Sequence, residues 1–162
     1  MPSDVRVERA DFDRPEHQRA IRALTAAYAL DPMGNAAPLD EAVLDRLVAG
    51  LKDLPTSLVF IAYAEARAVG IATCFRGFST FLAKPLINIH DLAVLDEYRG
   101  RGIGGALLAA VEDEARASDC GRVTLEVQEN NHRARGVYER CGFAHAVYGE
   151  HTGGSLFYTK AL

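Results

Sequence analysis

In the first third of the chain, the pattern of apolar and polar residues predicts one strand followed by two amphipathic helices. Residues 5–8 alternate apolar and polar side chains, as a half-buried strand does. A helix is expected from Pro15 with Asp13 as its N-cap, because apolar positions then recur at helical spacing until the turn-rich segment 31–35. A second helix is expected from about Asp40 and ends before Pro55. The chain should therefore begin with a strand and two helices joined by a loop.

The middle of the chain is patterned mainly for strands. Apolar or β-branched runs at 57–63 and 68–75 are separated by a short polar stretch, which predicts an antiparallel hairpin. A third strand is expected over 86–94. After it, apolar residues again follow a helical period over about 103–117. This third helix should cross over the sheet and return the chain to a new strand.

The last third of the chain predicts a strand over 122–127, a helix over 131–141 and two final strands over 143–148 and 156–159. The full order combines antiparallel hairpins with one strand–helix–strand crossover. We therefore predict an α/β (α+β) fold in one domain spanning residues 1–162. Its sheet should be mixed, mostly antiparallel and six- to seven-stranded, with helices on both faces.

The composition of the chain mainly excludes certain classes of protein. The 162 residues are 49% apolar and 25% charged, which suits a globular core that needs no disulfide or metal. The longest apolar run, 58–64, is too short to span a membrane, and no secretory segment is visible, so a cytoplasmic protein without a membrane partner is expected. Three cysteines without a CxxC pair predict no metal site, and a net charge of −4 disfavours nucleic acid. A homodimer is left open.

A glycine cluster, Gly100-Arg101-Gly102-Ile103-Gly104-Gly105, lies between a predicted strand and a predicted helix. Glycines permit positive φ and close approach of a ligand, and the first N–H groups of the next helix have no partner within that helix. Such a junction binds phosphates, although a tight structural turn is the alternative. The spacing also fits a dinucleotide fingerprint, but too few residues follow for the parallel strands of that fold. A P-loop would require a lysine that is absent.

Two blocks of sequence resemble the GNAT superfamily of acyl-CoA-dependent N-acetyltransferases. They are Arg99-x-x-Gly102-x-Gly104, after Leu92-Ala93-Val94, and Asn131-x-x-Ala134-x-x-x-Tyr138-x-x-x-Gly142-Phe143. The resemblance covers about residues 86–145, and the predicted element order extends it to the whole chain. It implies a GNAT-like fold, acetyl-CoA as the co-substrate, and transfer of the acetyl group to a primary amine by direct attack.

The resemblance also implies which residues bind coenzyme A. The backbone amides from Arg99 to Gly105 would hold the pyrophosphate, and the strand at Leu92 to Val94 would pair with the pantetheine arm. Asn131 and Ala134 would line the cofactor, although a helix N-cap and a packing alanine are their plainer roles. The implied cofactor-binding set is therefore Leu92, Ala93, Val94, Arg99, Gly100, Arg101, Gly102, Ile103, Gly104, Gly105, Asn131 and Ala134.

Catalysis by this route needs a proton donor for the leaving thiolate and a proton acceptor for the amine. The resemblance places Tyr138 as the donor, whereas its spacing on the helix also suits a core aromatic residue. A primary amine with a reference pKa of about 10.4 is almost wholly protonated at neutral pH, and deprotonating it costs roughly 4–5 kcal/mol. A base, or a chain of water molecules leading to one, is therefore expected.

Local resemblance to the spermidine/spermine (diamine) acetyltransferases indicates where that base lies. The similar segments are 78–81 and 88–92, and the family's catalytic glutamate corresponds to His90. Histidine exchanges a proton near neutral pH, so the function can survive the change. In a regular strand His90 and Asp91 point to opposite faces, so only one reaches the site unless a bulge intervenes. His90 is the first candidate and Asp91 the second.

Several alternatives remain open at this stage. Cys74 and Cys141 have no histidine partner in sequence context, so a covalent cysteine intermediate is disfavoured. Acidic residues at Asp31, Asp91 and Glu150 are candidates for attracting a cationic acceptor. A small-molecule amine is the favoured acceptor, with a peptide or protein amine as the alternative. A non-catalytic acyl-CoA sensor would keep the same glycine loop.

Overall fold

A computed structural model describes residues 5–147, 149, 151 and 153–162. The strands are β1 (Val5–Arg9), β2 (Ser57–Ala64), β3 (Arg67–Ser79), β4 (Lys84–Val94) and β5 (Arg122–Leu125). The helices are α1 (Pro15–Leu30), α2 (Glu41–Asp53), α3 (Ile103–Ala117) and α4 (His132–Arg140), and a short 3-10 turn covers Asp96–Tyr98. Their order follows the sequence prediction through α4.

The five strands form one sheet in the order β1-β2-β3-β4-β5. Strands β1 to β4 pair antiparallel with their neighbours, and β5 pairs parallel with β4 because α3 carries the chain back across the sheet. Helices α1 and α2 pack on one face, and α3 and α4 pack on the other. The mixed α/β fold class with helices on both faces is therefore confirmed.

The core lies in two layers, one on each face of the sheet. On the α3 face, Ile103, Leu107 and Val111 recur every four residues and are fully buried against the strands. On the α1 face, Ile21 and Leu24 pack against inward residues of β2 and β3. Burying one such aliphatic side chain contributes about 1.5–3 kcal/mol, so these two stripes hold the helices to the sheet.

The sheet has five strands instead of the predicted six to seven. In the described part of 143–162 the chain forms no strand, only an isolated bridge between Val147 and Gly154, and Tyr148 lies outside the described residues. The apolar residues that predicted the last strand, Leu156 to Tyr158, are exposed. An apolar run becomes a strand only when it pairs with another strand, and residues 156–158 pair with no described strand.

Strands β4 and β5 separate halfway along β4. Their parallel pairing runs from Leu86 with Arg122 to Ile89 with Leu125. Beyond that point β4 continues to Val94, paired with β3 alone among the described strands. A bulge lies at the same place, because Thr73 pairs with Asp91 whereas Cys74 pairs with Ile89, which leaves His90 as the extra residue. The sheet consequently opens into a cleft.

Candidate active site

The cleft between the separated strands has a volume of about 770 Å³. It gathers residues from the loop after β4, the start of α3, the end of β5 and α4. The predicted site residues that line it are His90, Leu92, Ala93, Val94, Arg99, Gly100, Gly102, Ile103, Gly104, Gly105, Asn131, Ala134 and Tyr138. Asp91 and Arg101 are the two predicted residues that do not line it.

The glycine loop leads directly into the first turn of α3. Gly100 and Gly102 have φ of 74° and 81°, values that side-chain-bearing residues rarely adopt. Gly102 is the N-cap residue, and no described side chain caps the helix. The first hydrogen bond of the helix runs from the Ala106 amide to the Gly102 carbonyl, at 3.0 Å. The preceding amides have no partner within the helix and therefore suit an anion.

The two arginines of the loop face different ways. Arg99 lines the cleft, and its Nε donates to the Val94 carbonyl at 3.0 Å. Arg101 turns to the other side of the loop, where Nη2 donates to the Glu97 carbonyl at 2.9 Å and the guanidinium lies 5.1 Å from the ring centroid of Tyr98. The side chain of Arg101 therefore stays away from the cleft, although its backbone is part of the loop.

Helix α4 forms one wall of the cleft. Its N-cap residue Asn131 accepts a hydrogen bond from the Ala134 amide at 3.1 Å, so Asn131 caps the helix and lines the cleft at once. Tyr138 is buried, and its ring lies 6.1 Å from that of Phe143. Burial, with a smaller contribution from Tyr28, raises the pKa of Tyr138 to about 12. The phenol is therefore protonated at every physiological pH.

The bulge changes which way the end of β4 faces. Ile87 and Ile89 lie in the core layer on the α3 side, whereas Ala93, also odd-numbered, lies in the layer on the α1 side. The alternation of the strand is thus reversed at the bulge, which places both His90 and Asp91 toward the α1 side. The sequence prediction had allowed for this case.

His90 and Asp91 differ in their surroundings. His90 is exposed, lines the cleft and packs edge-on against Phe75, with ring centroids 5.6 Å apart. Asp91 is half-buried, and desolvation raises its pKa, while the nearby imidazole of His90 acts in the opposite direction. Asp91 in turn contributes to raising the pKa of Tyr28, after burial itself. The pair therefore combines an exposed imidazole that lines the cleft with a half-buried carboxyl that does not.

The cysteines are free thiols. Cys74 is buried, and burial raises its pKa to about 12, with Asp91 adding to the effect. A thiol in this state is a poor nucleophile, since the thiolate is the reactive form. Cys141, in contrast, lines the cleft beside α3.

The sequence missed several residues of the cleft. Tyr28 and Met33 reach it from the end of α1 and the loop that follows, Phe157 from the C-terminal segment, and Arg133 and Arg140 from α4. Residues 125–128 continue β5 along the opposite side. Tyr28 carried the signal of a core helix position only, and the two arginines carried no local signal at all. Their shared location depends on contacts between elements distant in sequence.

The acidic residues proposed to attract a cation lie in different surroundings. Asp31 forms ion pairs with Arg99 and Arg133, so its charge is already matched inside the protein. Asp91 is half-buried and does not line the cleft, and Glu150 lies outside the described residues. Among the residues that the structure describes, no group of three or more His, Cys, Asp or Glu side chains could hold a metal ion. In the same residues, every helix is too short or too polar to cross a membrane.

Comparison with known proteins agrees with this fold. The chain is 32% identical over 87 residues to the uncharacterized N-acetyltransferase YhfO of Bacillus subtilis (strain 168), an alignment covering 54% of this chain and 58% of that protein. The crystal structure of a probable acetyltransferase superposes with a TM-score of 0.78 at 23% identity, covering 96% of this chain and 99% of the other.

A second crystal structure is that of aminoglycoside acetyltransferase meta-AAC0020, from an uncultured soil metagenomic sample, in complex with sisomicin. It gives a TM-score of 0.72 at 22% identity and covers 98% of this chain and 97% of the other. Both structural likenesses show the fold. The profile of the acetyltransferase (GNAT) family matches residues 21–143, which is most of the chain and includes the glycine loop and α4. The predicted family is confirmed, and this chain belongs to the acetyltransferase (GNAT) family.

Proposed function

We propose that this chain transfers the acetyl group of acetyl-CoA to a primary amine by direct attack, and that the amine belongs to a small molecule. One observation carries the proposal: the glycine loop, Tyr138 and His90 all line a single cleft. Direct acyl transfer needs an anchor for the donor, a proton donor for the leaving group and a proton acceptor for the nucleophile. The cleft contains a candidate for each.

The residues of the cleft fit a co-substrate with a diphosphate and an extended arm. The amides at the start of α3 and the positive charges of Arg133 and Arg140 suit the diphosphate. Leu92 to Val94 pair with β3 on one side only among the described strands, which leaves backbone groups for an extended arm. When bound, acetyl-CoA supplies the activated acetyl thioester. A backbone N–H of β4 that points into the cleft would polarise the thioester carbonyl, where negative charge develops.

Tyr138 acts in this proposal as a hydrogen-bond donor to the departing sulfur. Its pKa of about 12 lies well above the reference value of about 8.5 for a thiol, so complete proton transfer in the ground state would cost about 5 kcal/mol. A neutral phenol nevertheless donates a strong hydrogen bond to a sulfur that gains negative charge. The role therefore requires the hydroxyl to stay protonated, which burial ensures.

His90 and Asp91 have different roles in the proposed deprotonation of the acceptor amine. His90 lines the cleft, and in this proposal it takes a proton from the ammonium group of the acceptor, directly or through water, so that the neutral amine can attack. Asp91 lies behind it, and its negative charge would stabilise the imidazolium that forms. Cys74 takes no part, because its raised pKa keeps the thiol neutral. Attack by the amine itself therefore needs no covalent enzyme intermediate.

The test is a panel of amines assayed with acetyl-CoA by release of free thiol. The panel contains a polyamine, an amino acid, an aminoglycoside, a peptide N-terminus and a lysine side chain. Turnover with at least one small amine is the expected result. Turnover with peptides alone would move the acceptor to the peptide class. Binding of acetyl-CoA without turnover of any amine would favour a sensor.

A binding measurement separates this proposal from a nucleotide-binding one. Thermal unfolding is compared in the presence of acetyl-CoA and of NAD, since a ligand that binds only the folded state raises Tm. Acetyl-CoA should raise Tm and NAD should not. A protein stabilised by NAD alone would overturn the proposed function.

A further inference from the structure

Asp31 occupies a defined position at the end of α1. It is the C-cap residue of that helix, and its side chain is only 10% exposed. Its Oδ1 accepts a hydrogen bond from the Met33 amide at 2.7 Å, and its carbonyl accepts from the Gly34 amide at 2.8 Å. Gly34 has no room for a side chain, because an added Cβ would lie 2.3 Å from the Tyr28 carbonyl. The turn after α1 is therefore tight, and it holds the carboxylate in one place.

The other carboxylate oxygen of Asp31 faces two arginines from different elements. Arg99, at the start of the glycine loop, forms an ion pair with it through Nη2. Arg133, in the first turn of α4, approaches the same oxygen to 3.6 Å. One carboxylate thus connects the turn after α1, the glycine loop and the helix that forms the opposite wall of the cleft.

Arg99 is held by the protein on several sides. Its Nε donates to the Val94 carbonyl at the end of β4, and it pairs with Asp96 as well as with Asp31. The two acids differ in environment, since the side chain of Asp96 is 80% exposed and that of Asp31 is 10% exposed. A buried charge pair loses much more than an exposed one when one partner is removed. Asp31 is therefore the stronger anchor of Arg99.

We propose that Asp31 is a positioning residue that sets the affinity for acetyl-CoA by anchoring the glycine loop through Arg99 and the start of α4 through Arg133. This inference rests on the proposed function. Without the carboxylate, Arg99 is free to leave the Val94 carbonyl, and the loop amides lose a fixed support. The glycine loop and α4, which form opposite walls of the cleft, at the same time lose the carboxylate that connects them.

The ionisation state of Asp31 agrees with such a role. Burial by itself would raise the pKa of Asp31, but the Met33 amide and the Arg99 guanidinium outweigh it, so the pKa lies below its ordinary value. The carboxylate is consequently ionised throughout the neutral range, and the tie persists wherever the enzyme would work.

The test is Asp31→Asn, which keeps an oxygen for the Met33 amide and removes the charge. The affinity for CoA is measured by calorimetry, kcat and KM by thiol release, and Tm by thermal unfolding. We expect the Kd of CoA and the KM of acetyl-CoA to rise about tenfold, with kcat at saturation changed less than about twofold. Asp96→Asn is the matched control, because it also removes a partner of Arg99, and its Kd should stay within about twofold of wild type.

A double-mutant cycle checks that Asp31 acts through Arg99. Arg99→Gln should weaken CoA binding, and Asp31→Asn should weaken it less in that background than in the wild type, because only the contact with Arg133 then remains to be lost. Fully additive losses would overturn the inference. If Asp31→Asn does not fold, Arg99→Gln decides alone, and an unchanged Kd for CoA would overturn it.

The remaining outcomes separate this inference from the proposed function. A wild-type protein that binds CoA while Asp31→Asn binds it equally well overturns the inference and leaves the function standing. A lower Tm with unchanged affinity shows a purely structural ion pair and also overturns it. A wild type that does not bind CoA overturns the proposed function, and the role of Asp31 falls with it.

Discussion

Tyr138→Phe removes one hydroxyl from the wall of the cleft and leaves the aromatic ring in place. The ring is buried, and its contact with Phe143, at a centroid distance of 6.1 Å, involves no hydroxyl. The substitution should therefore leave the fold and the affinity for CoA nearly unchanged. Any loss of rate then reports on the hydroxyl itself.

The expected loss follows from the state of the phenol. Burial keeps the pKa of Tyr138 at about 12, so the hydroxyl is a neutral donor facing a sulfur that becomes negative during the reaction. A hydrogen bond to a charged partner contributes about 1.5–3 kcal/mol. If this bond forms only as charge develops, kcat should fall about 10- to 100-fold, since each 1.36 kcal/mol or so is tenfold in rate.

The assay is thiol release at saturating acetyl-CoA with the best amine of the panel. Tyr63→Phe is the matched control, because Tyr63 is also a buried tyrosine but lies on β2, in the core layer on the α1 side and away from the cleft lining. It should turn over like wild type. A Tyr138→Phe enzyme with kcat within about twofold of wild type would refute the donor role. If the wild-type rate falls at a pH well below 12 and this fall is absent in Tyr138→Phe, the phenol ionises during turnover, which would contradict its role as a neutral donor.

Further predictions concern the base, the core and the glycine loop. His90→Ala should remove the acidic limb of the pH–rate profile, and a limb lost in Asp91→Asn instead would make Asp91 the base. Burial raises the pKa of Asp91 in the folded protein above its value in the unfolded chain. Stability is therefore lost as the pH rises from the unfolded to the folded pKa, so Asp91→Asn should raise Tm at neutral pH and not at about pH 3. Leu107→Ala, at a fully buried position of α3, should lower the free energy of unfolding by about 2–5 kcal/mol in urea titrations. Gly102→Ala forces a side chain onto a φ of 81° and should cost about 1–2 kcal/mol and weaken CoA binding, whereas Gly50→Ala, exposed within α2, should stabilise by about 0.5–1 kcal/mol in the same titration.

The elements up to α4 were predictable because their signals are local. The apolar spacing of Ile103, Leu107 and Val111 requires only a helical period, and the observed helix, Ile103–Ala117, has the predicted bounds. Asn131 at the start of α4 is a side-chain cap that follows from residue type and position. The positive φ at Gly100 and Gly102 follows from residue type alone, since glycine has no Cβ to oppose it.

Other local signals were misleading. Asp13 before Pro15 suggested a capped helix, but the N-cap residue is Arg14, which makes no side-chain cap, and Asp13 pairs with Lys52 of α2 instead. The apolar residues 156–158 suggested a strand that the described chain does not form. For Asp13, an ion pair with a residue distant in sequence outweighed the local pattern. For residues 156–158, the local pattern was insufficient because no described strand pairs with them.

The sequence by itself determined the order of helices and strands through α4 and the position of the glycine loop, because periodicity and φ preferences act over a few residues. Only the tertiary structure decided where β4 separates from β5, that a bulge turns His90 and Asp91 to the same side, and that Asp31 meets Arg99 and Arg133. Strand register and ion pairs between distant residues depend on how the whole sheet and its helices pack together. The cleft exists for that reason, and no single segment of the chain contains it.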